Sequence, residues 1–233
     1  MPFSGSNDFD QTEETIIKDA LILCGGLEDD ETPTDEQKTH ARRALNRMVK
    51  AWSPKGLKAW CWNEVSLTLV ISQASYSIGP TGADLVTERP LSIQNVRKIV
   101  TGTEEVPVRI ISRNEYMEQP SKDSDSEPVA VYYDPQLTNG ALYVWPSPAG
   151  AYTLNFSAQQ YIEDFDAASN NPYFPAEWLD AIVYNLAVRL CPRYEVRGQD
   201  YQMLVMQAKE FLTDAEDADM EQGSFYMQPE ASY

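Results

Sequence analysis

Histidine occurs once in the 233 residues, at His40, and cysteine three times, at Cys24, Cys61 and Cys191. A single histidine excludes HExxH metal sites and every triad with a histidine base unless His40 itself serves; within an amphipathic stretch it reads as a plain surface residue. Three cysteines without CxxC spacing argue for reduced, mostly buried thiols and against a disulfide framework. GxGxxG, GxxxxGK[ST] and GxSxG are all missing, and Gly79-Pro80-Thr81-Gly82 reads as a turn, not a phosphate cradle. No apolar run approaches the ~18 residues of a membrane span, and MPFSGSNDFD has neither a basic nor an apolar signal region. The expectation is a protein that is neither exported nor membrane-spanning, soluble and intracellular when made.

Positive charge is also scarce. Eighteen Lys and Arg stand against thirty-six Asp and Glu, a net charge of −18. Phosphate backbones and anionic lipid surfaces repel such a chain, so sequence-reading of DNA is not expected. A surface poor in cations does suit DNA that must pass without sticking, because the duplex gains no counterion release from it.

What is present is enough for a folded core: 42% hydrophobic residues, five Trp and thirteen Tyr. A first helix is expected over 10–24, capped by Asp10 with Glu13, striped by Ile16, Ile17, Ala20, Leu21 and Cys24, and stopped by Gly25-Gly26. A second opens with Thr34 and Gln37 in capping-box spacing, carries Ala41, Leu45, Met48 and Trp52, and ends at Ser53-Pro54.

From Val65 the period changes to two. Val65, Leu67, Leu69 and Ile71 form one side of a strand, Tyr76 and Ile78 continue after a turn, and further strands are expected at 91–100, 106–111, 129–133, 141–145 and 151–158. Ser112 and Glu115 have the spacing to start one helical turn among them. Helical period returns at Pro175, read as the first helical position, with Trp178, Ile182, Leu186 and Leu190 on one face. A last helix, about 199–217, places Tyr201, Leu204, Val205, Ala208, Phe211 and Ala215 at three- and four-residue steps.

The resulting expectation is an α+β fold: a four-helix bundle built from the N- and C-terminal helix pairs (10–60 and 172–217) with an inserted antiparallel β domain (61–171). Residues 1–9 and 218–233 read as a loose N-terminus and an extended C-terminal tail.

No residue is singled out as catalytic, cofactor-binding or metal-ligating. Glu163, Asp164 and Asp166 cluster in a loop, and a carboxylate pair is the minimum for glycoside hydrolysis, but adjacency in sequence is not the opposed geometry that chemistry needs. Lys38 to Lys58 holds seven cations and no acid, with Arg43, Arg47 and Lys50 on one helical face. The end of the last helix and its exit are acidic, with Glu210, Asp214 and Asp217 among them. These faces are candidate subunit or partner interfaces. The tail offers Phe225, Tyr226, Met227 and Tyr233 as aromatic and apolar anchors that order on a partner.

Four runs, ALNRMVKAWSPKGLKAW (44–60), QASYSIGPTGADLVTERPLSI (73–93), PVAVYYDPQLTNGALYVWPSPAGAYTLNF (128–156) and FPAEWLDAIVYNLAVRL (174–190), resemble the head-to-tail adaptor proteins of short-tailed bacteriophages, also called tail accessory factors or packaged-DNA stabilisation proteins. The resemblance implies a structural virion protein at the head-tail junction. It implies a ring, commonly a dodecamer, that docks below the portal protein, extends the DNA channel, helps retain packaged DNA, and carries tail nozzle, tail fibre or tailspike proteins. Genomic DNA then passes through without sequence-specific binding. Two rival readings are a peptidoglycan-degrading glycosidase acting at entry through the 163–166 carboxylates, and a DNA-clamping protein working through the Lys38 to Lys58 face.

Overall fold

A computed structural model describes residues 11–54, 59–101, 104–122, 124–167, 169 and 174–219. The chain is mixed α+β and separates into two compact units: Met1–Ala59 with Ile162–Tyr233, and Trp60–Tyr161.

The first unit is helical. Helix α1 (Glu13–Leu23) is capped by Thr12, whose Oγ1 accepts from Thr15 N at 3.4 Å; the expected cap, Asp10, lies outside the described residues. It ends in a two-bond turn, with Gly26 N donating to Leu21 O and Gly25 N to Ile22 O. Gly25 supplies the required left-handed φ of 63°. Helix α2 (Asp35–Trp52) opens with the full Thr34/Gln37 capping box, which satisfies two backbone N–H groups at once.

The β unit follows. Its elements in chain order are β1 (Trp62–Thr68), β2 (Ser75–Gly79), β3 (Leu85–Val86), β4 (Ser92–Thr101), β5 (Glu104–Pro107), β6 (Arg109–Ile110), helix α3 (Arg113–Glu118), β7 (Asp125–Ser126), β8 (Ala130–Asp134), β9 (Gly140–Trp145), β10 (Ser147–Pro148) and β11 (Thr153–Gln159). They form a four-stranded sheet β1-β11-β4-β5, a five-stranded sheet β3-β2-β9-β8-β6 and a small β10-β7 pair. One core draws on both larger sheets, with Leu67, Tyr76, Ile78, Val131, Leu142, Val144, Leu154 and Phe156 all buried.

Several expectations are corrected here. The sheet pairing is not purely antiparallel: β2 with β3, β6 with β8, and β7 with β10 run parallel. The single strand expected at 106–111 is two, because the chain changes sheet at Val108. Before it β5 pairs with β4, and after it β6 pairs with β8. Val108 itself is buried, and its N–H donates to Val96 O at 2.8 Å. Ile71 is exposed, since β1 stops at Thr68 and the chain turns at Ser72, where φ is 61°. The Ser112/Glu115 capping box does open α3.

Helices α4 (Leu179–Leu190) and α5 (Gln199–Ala218) complete the helical unit. Pro175 stands one position earlier than expected, as the cap of a 3-10 turn (Ala176–Trp178) that leads into α4. Helix α4 packs against α1, α2 and α5, which explains why Ile182, Leu186, Ala187 and Leu190 have no exposed surface. Burying these side chains contributes hydrophobic stabilisation at ~25 cal/mol per Å² of apolar area. Val205 is partly exposed; α5 meets α4 along a narrower stripe of Leu204, Ala208, Phe211 and Ala215.

Residues 162–165, expected in the β domain, run with the helical unit. Ile162 and Phe165 are buried, and Asn46 clamps Phe165 twice, its amide donating to Phe165 O and its Oδ1 accepting from Phe165 N, both at 2.8 Å. The apolar pair three residues apart anchors what the acidic composition alone made look like free loop.

Candidate interaction surfaces

Helix α2 is amphipathic, so its charged side must point away from the buried stripe of Ala41, Leu45, Met48 and Trp52. The structure divides that side into two groups. Lys38 pairs with Glu14, Arg42 Nε donates to Glu13 Oε1 at 2.6 Å, and Lys50 Nζ reaches Asp164 Oδ1 at 3.0 Å and Ile162 O at 2.9 Å. Lys38's hydrogen bond and charge hold Glu14 below the usual carboxylate range. These cations are engaged within the unit, and Lys50 does not share a free face with Arg43 and Arg47. Lys55 and Lys58 lie outside the described residues.

Arg43 and Arg47 are exposed, and none of the ion pairs among the described residues uses them. Instead they sit in a cationic neighbourhood that the sequence reading missed. His40 is pushed below its ordinary value by partial burial, and then by Arg193, Arg47 and Arg43, with Glu36 opposing. Arg189 is lowered by burial and, next, by Arg47. Thus α2 contributes His40, Arg43 and Arg47, the last turn of α4 contributes Arg189, and the following 3-10 turn contributes Arg193. The one carboxylate in this group is Glu36, 2.8 Å from Arg193. The signal available in the sequence was the basic end of α4, which complements its helix dipole. Nothing local showed that this end meets the middle of α2.

Helix α5 presents the opposite sign. Glu210, Asp214 and Asp217 are exposed at helical spacing, and none forms an ion pair among the described residues. The N-terminal half of the same helix exposes Met203 and Met206. A groove of about 190 Å³ lies between the Pro175–Trp178 turn and the end of α5. Phe225, Tyr226, Met227 and Tyr233 fall outside the described residues.

Glu163, Asp164 and Asp166 are exposed on the 162–167 segment, and Asp164 is taken by Lys50. The segment is held by its buried neighbours Ile162 and Phe165, and the three carboxylates point to exposed surface. Among the described residues, no group of three or more His, Cys, Asp or Glu could hold a metal ion. Cys24, Cys61 and Cys191 are free and buried, and burial pushes the Cys24 thiol up to about 11.

The four-stranded sheet of the β unit carries a polar concavity of about 490 Å³, lined by Glu64, Ser66, Asn95, Arg97, Glu105 and Asn155 among others. Its side chains hold one another. Ser66 Oγ donates to Asn155 Oδ1 at 2.8 Å, Asn155 Nδ2 to Glu105 Oε1 at 2.9 Å, and Arg97 pairs with Glu105 at 3.3 Å. The Asn155 bond and the Arg97 contacts keep Glu105 below its ordinary value. These are the outward positions of period-two strands.

Comparison with known proteins agrees with the likeness read from the four sequence runs. The family model described as SU10 adaptor protein matches residues 14–229, so elements of both units fall inside the match. No curated protein matches the chain. The chain belongs to the SU10 adaptor protein family.

Proposed function

We propose that this member of the adaptor family is a non-enzymatic head-to-tail adaptor of a short-tailed phage, forming a ring, most simply a dodecamer, below the portal protein. In that place the ring extends the DNA channel, helps retain the packaged genome, and gives tail nozzle, fibre or tailspike proteins their attachment platform. The observation that carries this reading is the family match, which runs through nearly the whole chain.

The physical features support it. Helices α1, α2, α4 and α5 act as a bundle that meets the portal and neighbouring copies, while the inserted β unit meets tail components. Each contact between copies is weak alone, and a circular template raises the effective concentration of each copy next to its neighbour. A net charge of −18 lets the duplex slide past without counterion release. The tail residues Phe225, Tyr226, Met227 and Tyr233 serve as an anchor on the portal. No helix among the described residues is long and apolar enough to cross a membrane.

The test is to mix the purified full chain with its portal and record native mass and projection images. A collar of many copies on the portal is expected. A portal that stays bare at saturating adaptor concentration refutes the assignment.

A further inference from the structure

Helix α4 packs on α2, and Arg193, just past its end, reaches Glu36 of α2 at 2.8 Å, so the exposed Arg43, Arg47 and Arg193 gather near His40, with Arg189 beside Arg47, in a molecule with twice as many acids as bases. Gathering like charges on one face opposes folding through their mutual repulsion unless something gains from it. Glu36 offsets only Arg193 by direct contact. An acidic partner is therefore what the cluster lacks. The chain carries such a surface itself: Glu210, Asp214 and Asp217 on α5, exposed and unpaired among the described residues.

We propose that the arginine cluster of α2 and α4 is the seat for the Glu210–Asp214–Asp217 row of α5 from a second copy of this chain. This rests on the adaptor reading for its biological setting, but its chemistry stands by itself. Arg43 and Arg47 are one turn apart, as are Glu210 and Asp214. Each pair spans about 6 Å along its helix, so two helices lying side by side bring both pairs into register. Arginine is suited to the task because its planar fork takes a carboxylate through two parallel hydrogen bonds. Seat and row are different surfaces of the same molecule, so the contact is head-to-tail, and such contacts close into rings when the rotation permits. A duplex is the other polyanion that could occupy the seat. It is disfavoured because the rest of the molecule is strongly negative and its field repels phosphate.

The experiment is sedimentation velocity of the full chain up to its highest soluble concentration, at low and high salt. Wild type is expected to self-associate reversibly, more weakly as salt rises. The variants Arg43→Glu/Arg47→Glu and Glu210→Lys/Asp214→Lys are each expected to associate at least ~10-fold more weakly. An equimolar mixture of the two is expected to recover association, because each restores the other's missing sign. Matching thermal unfolding curves exclude loss of fold, as all four positions are exposed. The proposal is overturned by a wild type that remains monomeric throughout, by either variant associating as wild type does, or by a mixture that fails to recover. A duplex-DNA mobility shift lost in the arginine variant also overturns it, by assigning the seat to phosphate. A bare portal in the preceding test would defeat the adaptor reading while leaving this contact measurable.

Discussion

Replacing Glu127 with glutamine should cost the β unit more than replacing the lysine it serves. Lys98 lies on β4 with its side chain only 2% exposed, and its ammonium is held by Glu127, by Pro128 O at 3.2 Å, and by the Tyr152 ring 5.5 Å away. Glu127 is 54% exposed. Removing one partner of a fully buried pair costs ~3–5 kcal/mol, whereas exposed pairs contribute ~0–1 kcal/mol. With one ion buried and the other half in water, Glu127→Gln should destabilise by about 2 kcal/mol. Lys98→Met removes the buried charge and keeps the volume, and Glu127 then turns to solvent, so that variant should stay within ~1 kcal/mol of wild type. The double variant should match Lys98→Met alone, giving a coupling of about 2 kcal/mol. Urea unfolding of the four proteins, with unchanged m-values, supplies the cycle. Additive effects, or a methionine variant weaker than the glutamine one, would refute this account of Lys98.

Other outcomes follow from the same contacts. The Ser77 N–H and hydroxyl both donate to Asp84 Oδ2 at 2.7 Å and hold that carboxyl below its ordinary value. Its contribution is therefore present above the unfolded carboxylate range and lost as pH falls through the folded value, so the Tm gap between wild type and Asp84→Asn should close on acidification; a gap independent of pH contradicts this. Because His40 is the single histidine, its NMR titration reports the cationic cluster directly, and Arg43→Ala/Arg47→Ala should move it upward; no movement would separate the arginines from it. Thr34→Ala removes the bond from Gln37 N–H to Thr34 Oγ1, leaves the reciprocal bond from Thr34 N–H to Gln37 Oε1, and should lower stability by about 1 kcal/mol, read from the urea midpoint. All three thiols should resist a thiol reagent in the native protein and react after denaturation; rapid native labelling of any one would contradict their burial.

The helices were legible because their signals are local. Thr34 with Gln37, Ser112 with Glu115, and Gly25-Gly26 act within a few residues, and the stripes they bound are buried as their spacing requires. What was not legible depends on meetings across the chain. The switch of sheets at Val108 needs the positions of β4 and β8, and the parallel pairings are made by two-residue strands too short to show a period. The basic run of α2 read as uniform in sequence. Glu13, Glu14 and Asp164 divide it in space, and Arg189 with Arg193 enlarge what remains.

Trp62 at the start of β1 lies opposite Gln159 at the end of β11, and just outside them Gln160 N donates to Cys61 O at 2.8 Å. The entrance and exit of the β unit are thus stitched together. Such a unit behaves as a cassette: it can be exchanged for another with closely spaced ends without rethreading the helices that flank it. Tension drawn through those two ends would open the β1–β11 ladder rung by rung, like a zip, instead of shearing every rung at once.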